Sequence, residues 1–346
     1  MRDGDWVNET GSEFRGILKV LVDTGRIPGG VVVVGTVHTW EFVSVGELSP
    51  EHLPEVATGP AVRYDIASLT KLLATWTLTG RAVLDGLLDL DAPLGDYVPG
   101  GPFACHDVTT RQILTHTSRL DAETPLEEHA ASGRDITEAI LDTPSTTGGY
   151  RYIDRGFVLL GLVLERVLAA PLDRVATEMW AQAGMSATCY GPLPRGSGVA
   201  PTERRVRGAA PTWGVVHDEG AALLGGVAGH AGVFSTAADV GAYARDLLRS
   251  YAAEGGASEL ARFLRDSWTP QVSVEPGLSR GLGWLVTDTG VVHHTGFTGT
   301  SLHLHPQSGR YIGILTNAVH YGRDRGGRVQ ELRSGAEHAL AAQPAL

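Results

Sequence analysis

Strand-forming runs lie at both ends of this 346-residue chain, and helix-forming runs lie between them. That order limits the folds open to it, because strands far apart in sequence share a sheet only if the intervening chain forms a body beside it. Near the start, "SEFRGILKVLVDTGRI" has apolar residues at helical spacing and "PGG" ends it. "VVVVGTVHTWEFVSVGEL" then reads as two strands with a turn near His38. The far end returns to strands in "GLGWLVTDTG", "GVVHHTGFTG", "TSLHLHP" and "RYIGILTNAV", before a last helix in "RVQELRSGAEHALAAQ". Between them the pattern is helical from Ser68 through Leu88, and again in "VTTRQILTHT", "RDITEAILDT", "FVLLGLVLERVLAA" and "TAADVGAYARDLLRSYAAE". The predicted class is α/β (α+β): an antiparallel sheet flanked by helices, built from both chain ends, with an inserted mostly helical lobe. The expected division is residues 1–80 with 260–346 for the sheet, and 81–259 for the lobe and its long loops. A cleft between two such lobes is a usual place for a small-molecule site.

Composition narrows the function. The chain is 42% hydrophobic and 19% charged, as globular proteins are. Its 39 acidic residues outnumber 28 basic ones, and no Lys/Arg cluster tracks a phosphate backbone, so no nucleic acid is expected as partner. Cys105 and Cys189 are far apart and lack CxxC spacing, which argues against a thiolate zinc site or a disulfide framework and fits a reducing compartment. The first thirty residues lack a signal-peptide pattern, and no apolar run approaches the ~20 residues of a membrane span. A cytoplasmic location with no membrane contact is expected.

The chemistry begins at "YDIASLTKLLAT", where Ser68 precedes Lys71 by three residues and shares its helix face. By itself the pair favours a helix N-cap and a solvated lysine. The apolar neighbours Leu72, Leu73, Ala74 and Trp76 bury this helix, however, and a buried lysine needs a partner. A serine nucleophile requires a group to take its proton and N–H donors for the oxyanion. Two further stretches bear on this: "YRYIDRGFVLLG", with Tyr152 and Asp154 at the mouth of an apolar helix, and "HHTGFTGTSL", with His294, Thr295 and Gly296 on a strand.

With these motifs in order, the sequence resembles the serine β-lactamase and penicillin-binding superfamily, specifically its class C β-lactamase-like enzymes. That family orders its motifs as SxxK, then Tyr-x-Asn or Tyr-x-Asp, then Lys-Thr-Gly or His-x-Gly. The likeness runs from "RIPGGVVVV" through "VTTRQILTHTSRL" to "TGFTGTSLHLHPQSGRYIGILTN". It implies the β-lactamase/transpeptidase-like fold. It further implies Ser68 as the acylated nucleophile, Lys71 as proton acceptor or ordering cation, and Tyr152 as proton relay. His294 and Gly296 would line the opposite wall, and the backbone N–H groups of Ser68 and Phe297 would form the oxyanion hole. Gly296 and Gly299 would let a substrate lie against the strand backbone.

Several positions depart from the family pattern. Asp154 stands where Asn is commoner, adding an anion beside Lys71. His294 replaces a lysine that holds substrate carboxylates in β-lactamases and carboxypeptidases, which favours esterase-like or acyl-transfer members. Arg119 stands where relatives carry Gly, and Arg155 follows Asp154; each reads either as a cleft residue or as a surface arginine paired with carboxylates. His303 and His305 share a strand face without nearby acidic residues in sequence, so neither metal nor cofactor is expected. His217 and His230 fall in the Gly/Pro-rich stretch of about 190–232 and read as loop braces, and His116 as a backbone anchor. The expected function is cleavage of a small-molecule ester or amide through a Ser68 acyl-enzyme. The acyl group would pass to water or to an amine or alcohol, as in natural-product assembly. A β-lactamase, a D-Ala-D-Ala carboxypeptidase and a catalytically silent relative are the alternatives.

Overall fold

The computed structural model describes residues 2–98, 104–121, 126–133, 135–196, 198–205, 209–253, 259–323 and 327–341. The chain opens with helix α1 (Asp3–Asp23), strands β1 (Gly29–Thr36), β2 (Trp40–Ser49) and β3 (Leu53–Ala57), the short β4 (Tyr64–Asp65) and helix α2 (Thr77–Leu84). The middle comprises α3 (Thr110–Leu114), α4 (Leu126–Ala131), α5 (Ile136–Leu141), α6 (Arg155–Val167), α7 (Leu172–Gln182), β5 (Cys189–Tyr190), α8 (Glu219–Leu223), β6 (Val233–Ser235), α9 (Ala237–Ala252) and α10 (Glu259–Ser267). Strands β7 (Val272–Glu275), β8 (Leu278–Arg280), β9 (Leu285–Thr287), β10 (Val292–Gly296), β11 (Thr300–His305) and β12 (Arg310–Thr316) precede the last helix, α11 (Gln330–Ala341).

Nine strands form one sheet in the order β3-β2-β1-β12-β11-β10-β9-β8-β7. Its centre joins the two chain ends, with β1 antiparallel to β12 in the register Val31↔Leu315, Val33↔Gly313. The "VVVV" run explains why the joint is central. Neighbouring residues of a strand face opposite sides, so four consecutive valines suit a strand covered on both faces. Val31 and Val33 enter the core shared with the helical lobe, while Val32 and Val34 pack with Phe14 and Leu18 of α1 and Leu332 and Ala336 of α11. Each such side chain contributes roughly 1.5–3 kcal/mol by leaving water.

Helix α9 lies within the stretch 81–259 expected for the lobe, yet it packs on β1 and β12, opposite α1. In the lobe, α6 buries Phe157, Leu159, Leu160, Val163 and Leu164 and is apolar on most of its surface, as a central helix must be. A second, three-stranded sheet, β4-β6-β5, ties the chain just before Ser68 to the end of the 190–232 stretch. Among the described residues no helix is long and apolar enough to cross a membrane.

The single helix expected from Ser68 through Leu88 is instead three pieces: a 3-10 turn at Ala67–Leu69, a π-helical turn at Lys71–Trp76, and α2, which stops at Leu84. Helical periodicity marked the segment correctly but carries no information on these local changes of pitch.

Candidate active site

Ser68 sits in the 3-10 turn between the sheet and the lobe, so it starts no regular helix. Ala67 before it has φ of 47°, a left-handed conformation that a residue with a Cβ adopts only when its surroundings impose it. Those surroundings include Asp65, which is 1% exposed and accepts hydrogen bonds from the N–H of Ala67 at 2.8 Å and of His217 at 2.7 Å. One carboxylate thus pins both the turn that carries Ser68 and the long loop facing it.

Lys71 is fully buried, and its Nζ donates to Ser68 Oγ at 2.8 Å and to Tyr152 Oη at 2.8 Å. Asp154 Oδ1 lies 2.6 Å from the same nitrogen. An ammonium has three donors, and these three oxygens account for them. Burial pushes the lysine's pKa down, but the Asp154 carboxylate and Tyr152 outweigh it and raise the value above the usual one. Asp154 is displaced the other way: burial pushes it up, while Lys71 and then His230 bring it below the ordinary carboxylate range. Lys71 therefore rests as a cation, and an ammonium can accept a further proton only by releasing one of its own to a neighbour such as Tyr152 or Asp154.

The π-helical turn aims Lys71 at these partners, and His116 backs Tyr152 with ring centroids 4.5 Å apart. The His116 Nδ1 accepts from Ile153 N–H at 3.3 Å, and its carbonyl from Arg151 N–H at 3.0 Å, so it anchors the tyrosine's loop.

A cleft of about 400 Å³ opens over Ser68, Tyr152 and Asp154, with Thr295, Gly296 and Phe297 on its far wall. His294 is not part of that wall, which corrects the expectation. It is 2% exposed, its Nδ1 meets the Thr295 carbonyl at 2.9 Å, and its ring lies 6.1 Å from that of Tyr152. Burial, then Arg280 and Lys71, hold its pKa well below 6.5, so the imidazole is neutral. The fixed cation near Tyr152 is Arg280 of β8, 2% exposed, 5.7 Å from the Tyr152 ring and hydrogen-bonded to Tyr150 Oη at 3.0 Å.

Gly296 also has a different reason from the one expected. A Cβ there would lie 2.5 Å from the Ile66 carbonyl oxygen and would collide with Thr300 Oγ1. The glycine brings β10 against the turn that carries Ser68, and the close approach is protein to protein. Gly299, with φ of 106°, serves the β10–β11 hairpin, where a Cβ would lie 2.6 Å from Ala318 Cβ.

The arginines named from sequence lie elsewhere. Arg119 is exposed and not among the cleft-lining residues. Its φ of 60° is the conformation that glycine adopts freely, and its carbonyl accepts from Thr146 N–H at 2.6 Å. Arg155 is 6% exposed at the start of α6, 3.4 Å from Thr143 Oγ1, in a side pocket with Tyr152 and Asp154. Cations that do line the cleft are Arg323, bonded through Nε to Glu203 at 3.0 Å, and Arg333, bonded to the Gly296 carbonyl at 2.9 Å.

His217 and His230 brace the loop at the cleft: His217 meets Glu203 at 2.9 Å and His230 meets Asp218 at 2.8 Å. Phe297, 46% exposed, stacks on His217 at 5.6 Å. Sequence reasoning missed Asp65, Arg280 and Arg333. An aspartate in the apolar "YDIASL" was a usable signal for the first, whereas the arginines join the site only through the fold.

Comparison with known proteins places this geometry. The Beta-lactamase family profile matches residues 14–337. The chain belongs to the Beta-lactamase family. Members of this family are usually serine hydrolases. An Escherichia coli K12 protein provisionally named as a D-alanyl-D-alanine carboxypeptidase is 28% identical over 305 residues, covering 74% of this chain and 69% of its own length. A solved class C beta-lactamase superposes with a TM-score of 0.74 at 17% identity, covering 98% of this chain and 97% of its own. The simvastatin synthase LovD of Aspergillus terreus superposes with a TM-score of 0.71 at 18% identity, covering 96% and 98%. At these identities the two structures establish the shared fold, a β-lactamase/transpeptidase-like antiparallel sheet flanked by helices.

Proposed function

We propose that the protein is an acyl-serine enzyme that cleaves a small-molecule ester or amide and passes the acyl group to water or to an amine or alcohol. The observation that carries this reading is the buried Lys71, 2.8 Å from both the Ser68 and the Tyr152 hydroxyl oxygens. Ser68 Oγ attacks the substrate carbonyl carbon, and the new C–O bond forms as the serine proton moves to Lys71. In the same step Lys71 hands one of its own protons to Tyr152, and Tyr152 gives its hydroxyl proton to the leaving group as the scissile bond breaks. The N–H groups of Ser68 and Phe297, whose residues both line the cleft, receive the oxyanion. Water or a second substrate then releases the acyl group by the reverse proton path. Asp154 keeps Lys71 charged at rest.

A neutral, buried His294 leaves the Lys-Thr-Gly position without a cation, which supports ester and transacylation substrates over β-lactams. The two free cysteines suit a cytoplasmic setting, and natural-product assembly is the kind of chemistry such an enzyme serves there. A carboxypeptidase is the second reading, favoured by the name of the E. coli relative and by Arg333, which lines the cleft beside Gly296 where a substrate carboxylate could rest.

Turnover of p-nitrophenyl acyl esters, with and without added amines or alcohols, is compared with D-alanine release from an N-acyl-D-alanyl-D-alanine peptide. Ester turnover faster than peptide turnover, with free acid diverted to acceptor product, is expected. Faster release of D-alanine selects the second reading.

A further inference from the structure

On the sheet face covered by α11 lies a buried pair of histidines. His293 of β10 and His303 of β11 are cross-strand partners, and their rings stack 5.1 Å apart at 7°. They are 6% and 0% exposed, and none of their four ring nitrogens has a hydrogen-bond partner. A buried polar group without a partner is destabilising, so two such imidazoles side by side are donors placed for a ligand rather than for the core. Glu337 of α11 closes the set, with Oε1 3.9 Å from His293 Nδ1. One donor atom from each of the three residues lies within 4.8 Å of the other two.

Two imidazole nitrogens and a carboxylate oxygen, with a fourth position open, are a donor set for a zinc-type divalent cation. We propose that His293, His303 and Glu337 bind such a cation and that it clamps α11 to the β10–β11 hairpin. Tetrahedral coordination with Zn–N near ~2.0–2.1 Å sets donor atoms roughly 3.3 Å apart, so the three must draw in by about 1 Å, within the rotamer freedom of Glu337. Arg333, one helical turn before Glu337, has its Nη2 turned onto the Gly296 and Thr300 carbonyls. The other His/Glu cluster, Glu51, His52 and His320, differs: both His320 nitrogens are already engaged, by Ser49 Oγ and the Thr202 carbonyl.

The test is to strip the full chain with chelator, titrate it with Zn²⁺ or Co²⁺, and desalt. One cation retained per chain, a melting temperature raised by several degrees, and an intense visible Co²⁺ band of tetrahedral type are expected. Glu337→Gln, on a half-buried helix face, and His303→Leu should each lower retention at least tenfold, and His52→Ala should leave it unchanged. Absence of a retained cation and of the Co²⁺ band in the wild-type protein overturns the proposal whether or not the variants fold. So does retention that survives both Glu337→Gln and His303→Leu.

Discussion

At the residue scale, the account turns on what Asp154 does to Lys71. Its carboxylate sits 2.6 Å from Nζ and raises the lysine's pKa against the pull of burial. Removing the charge lowers that pKa, so in Asp154→Asn the alkaline limb of the kcat/KM profile, where Lys71 loses its resting charge, is expected to shift to lower pH. An unmoved limb would mean that Asp154 does not set the lysine's charge. Tyr152→Phe deletes the proton's next stop at 2.8 Å and should lower kcat by about 10³-fold with the fold intact by circular dichroism. Near-normal turnover would remove Tyr152 from the relay. Ser68, Lys71, Tyr152 and Asp154 were legible because side-chain chemistry and motif order both point to them. The placement of His294 was not, because the strand pattern does not say which of two adjacent residues faces a cleft.

At the element scale, the site depends on β10 lying against the 3-10 turn that presents Ser68. Gly296 permits that approach, and Gly296→Ala would drive a methyl into the Ile66 carbonyl. The expected result is a loss of roughly 1–3 kcal/mol in denaturant titration together with a much larger loss of turnover, because the turn carrying the nucleophile must shift. Unchanged stability and turnover would show that the hairpin can retreat at no cost. Strand and helix types were readable from period and length, as in "VVVV" and "FVLLGLVLERV". The broken helix after Ala67 was not, since its changes of pitch go with contacts to Tyr152 and Asp154 that only tertiary structure supplies.

At the scale of the whole molecule, the two chain ends meet in one sheet, and the pairing of β1 with β12 holds them together. That closure was legible from the order of strands and helices. The place of α9 on the sheet was not, because an apolar helix face does not name the surface it will cover. The closed core also gives the fold a pH signature. His116, His293, His294 and His303 are all held below 6.5, chiefly by burial, with His293 near 4. The unfolded chain binds protons there that the folded chain refuses, so stability falls as pH drops from 6.5 towards 4 and these groups add no slope above 6.5. Calorimetry should show a steep decline in melting temperature over that acid window and little change from pH 7 to 8; a flat acid limb would contradict the buried, neutral histidines. The central claim, that the molecule works by acylating one serine, is tested most directly by intact-mass analysis after mixing with a p-nitrophenyl ester or a fluorophosphonate. A single adduct, mapped to Ser68, is expected, with neither adduct nor turnover in Ser68→Ala. An adduct on another residue, or turnover that survives in Ser68→Ala, would contradict it.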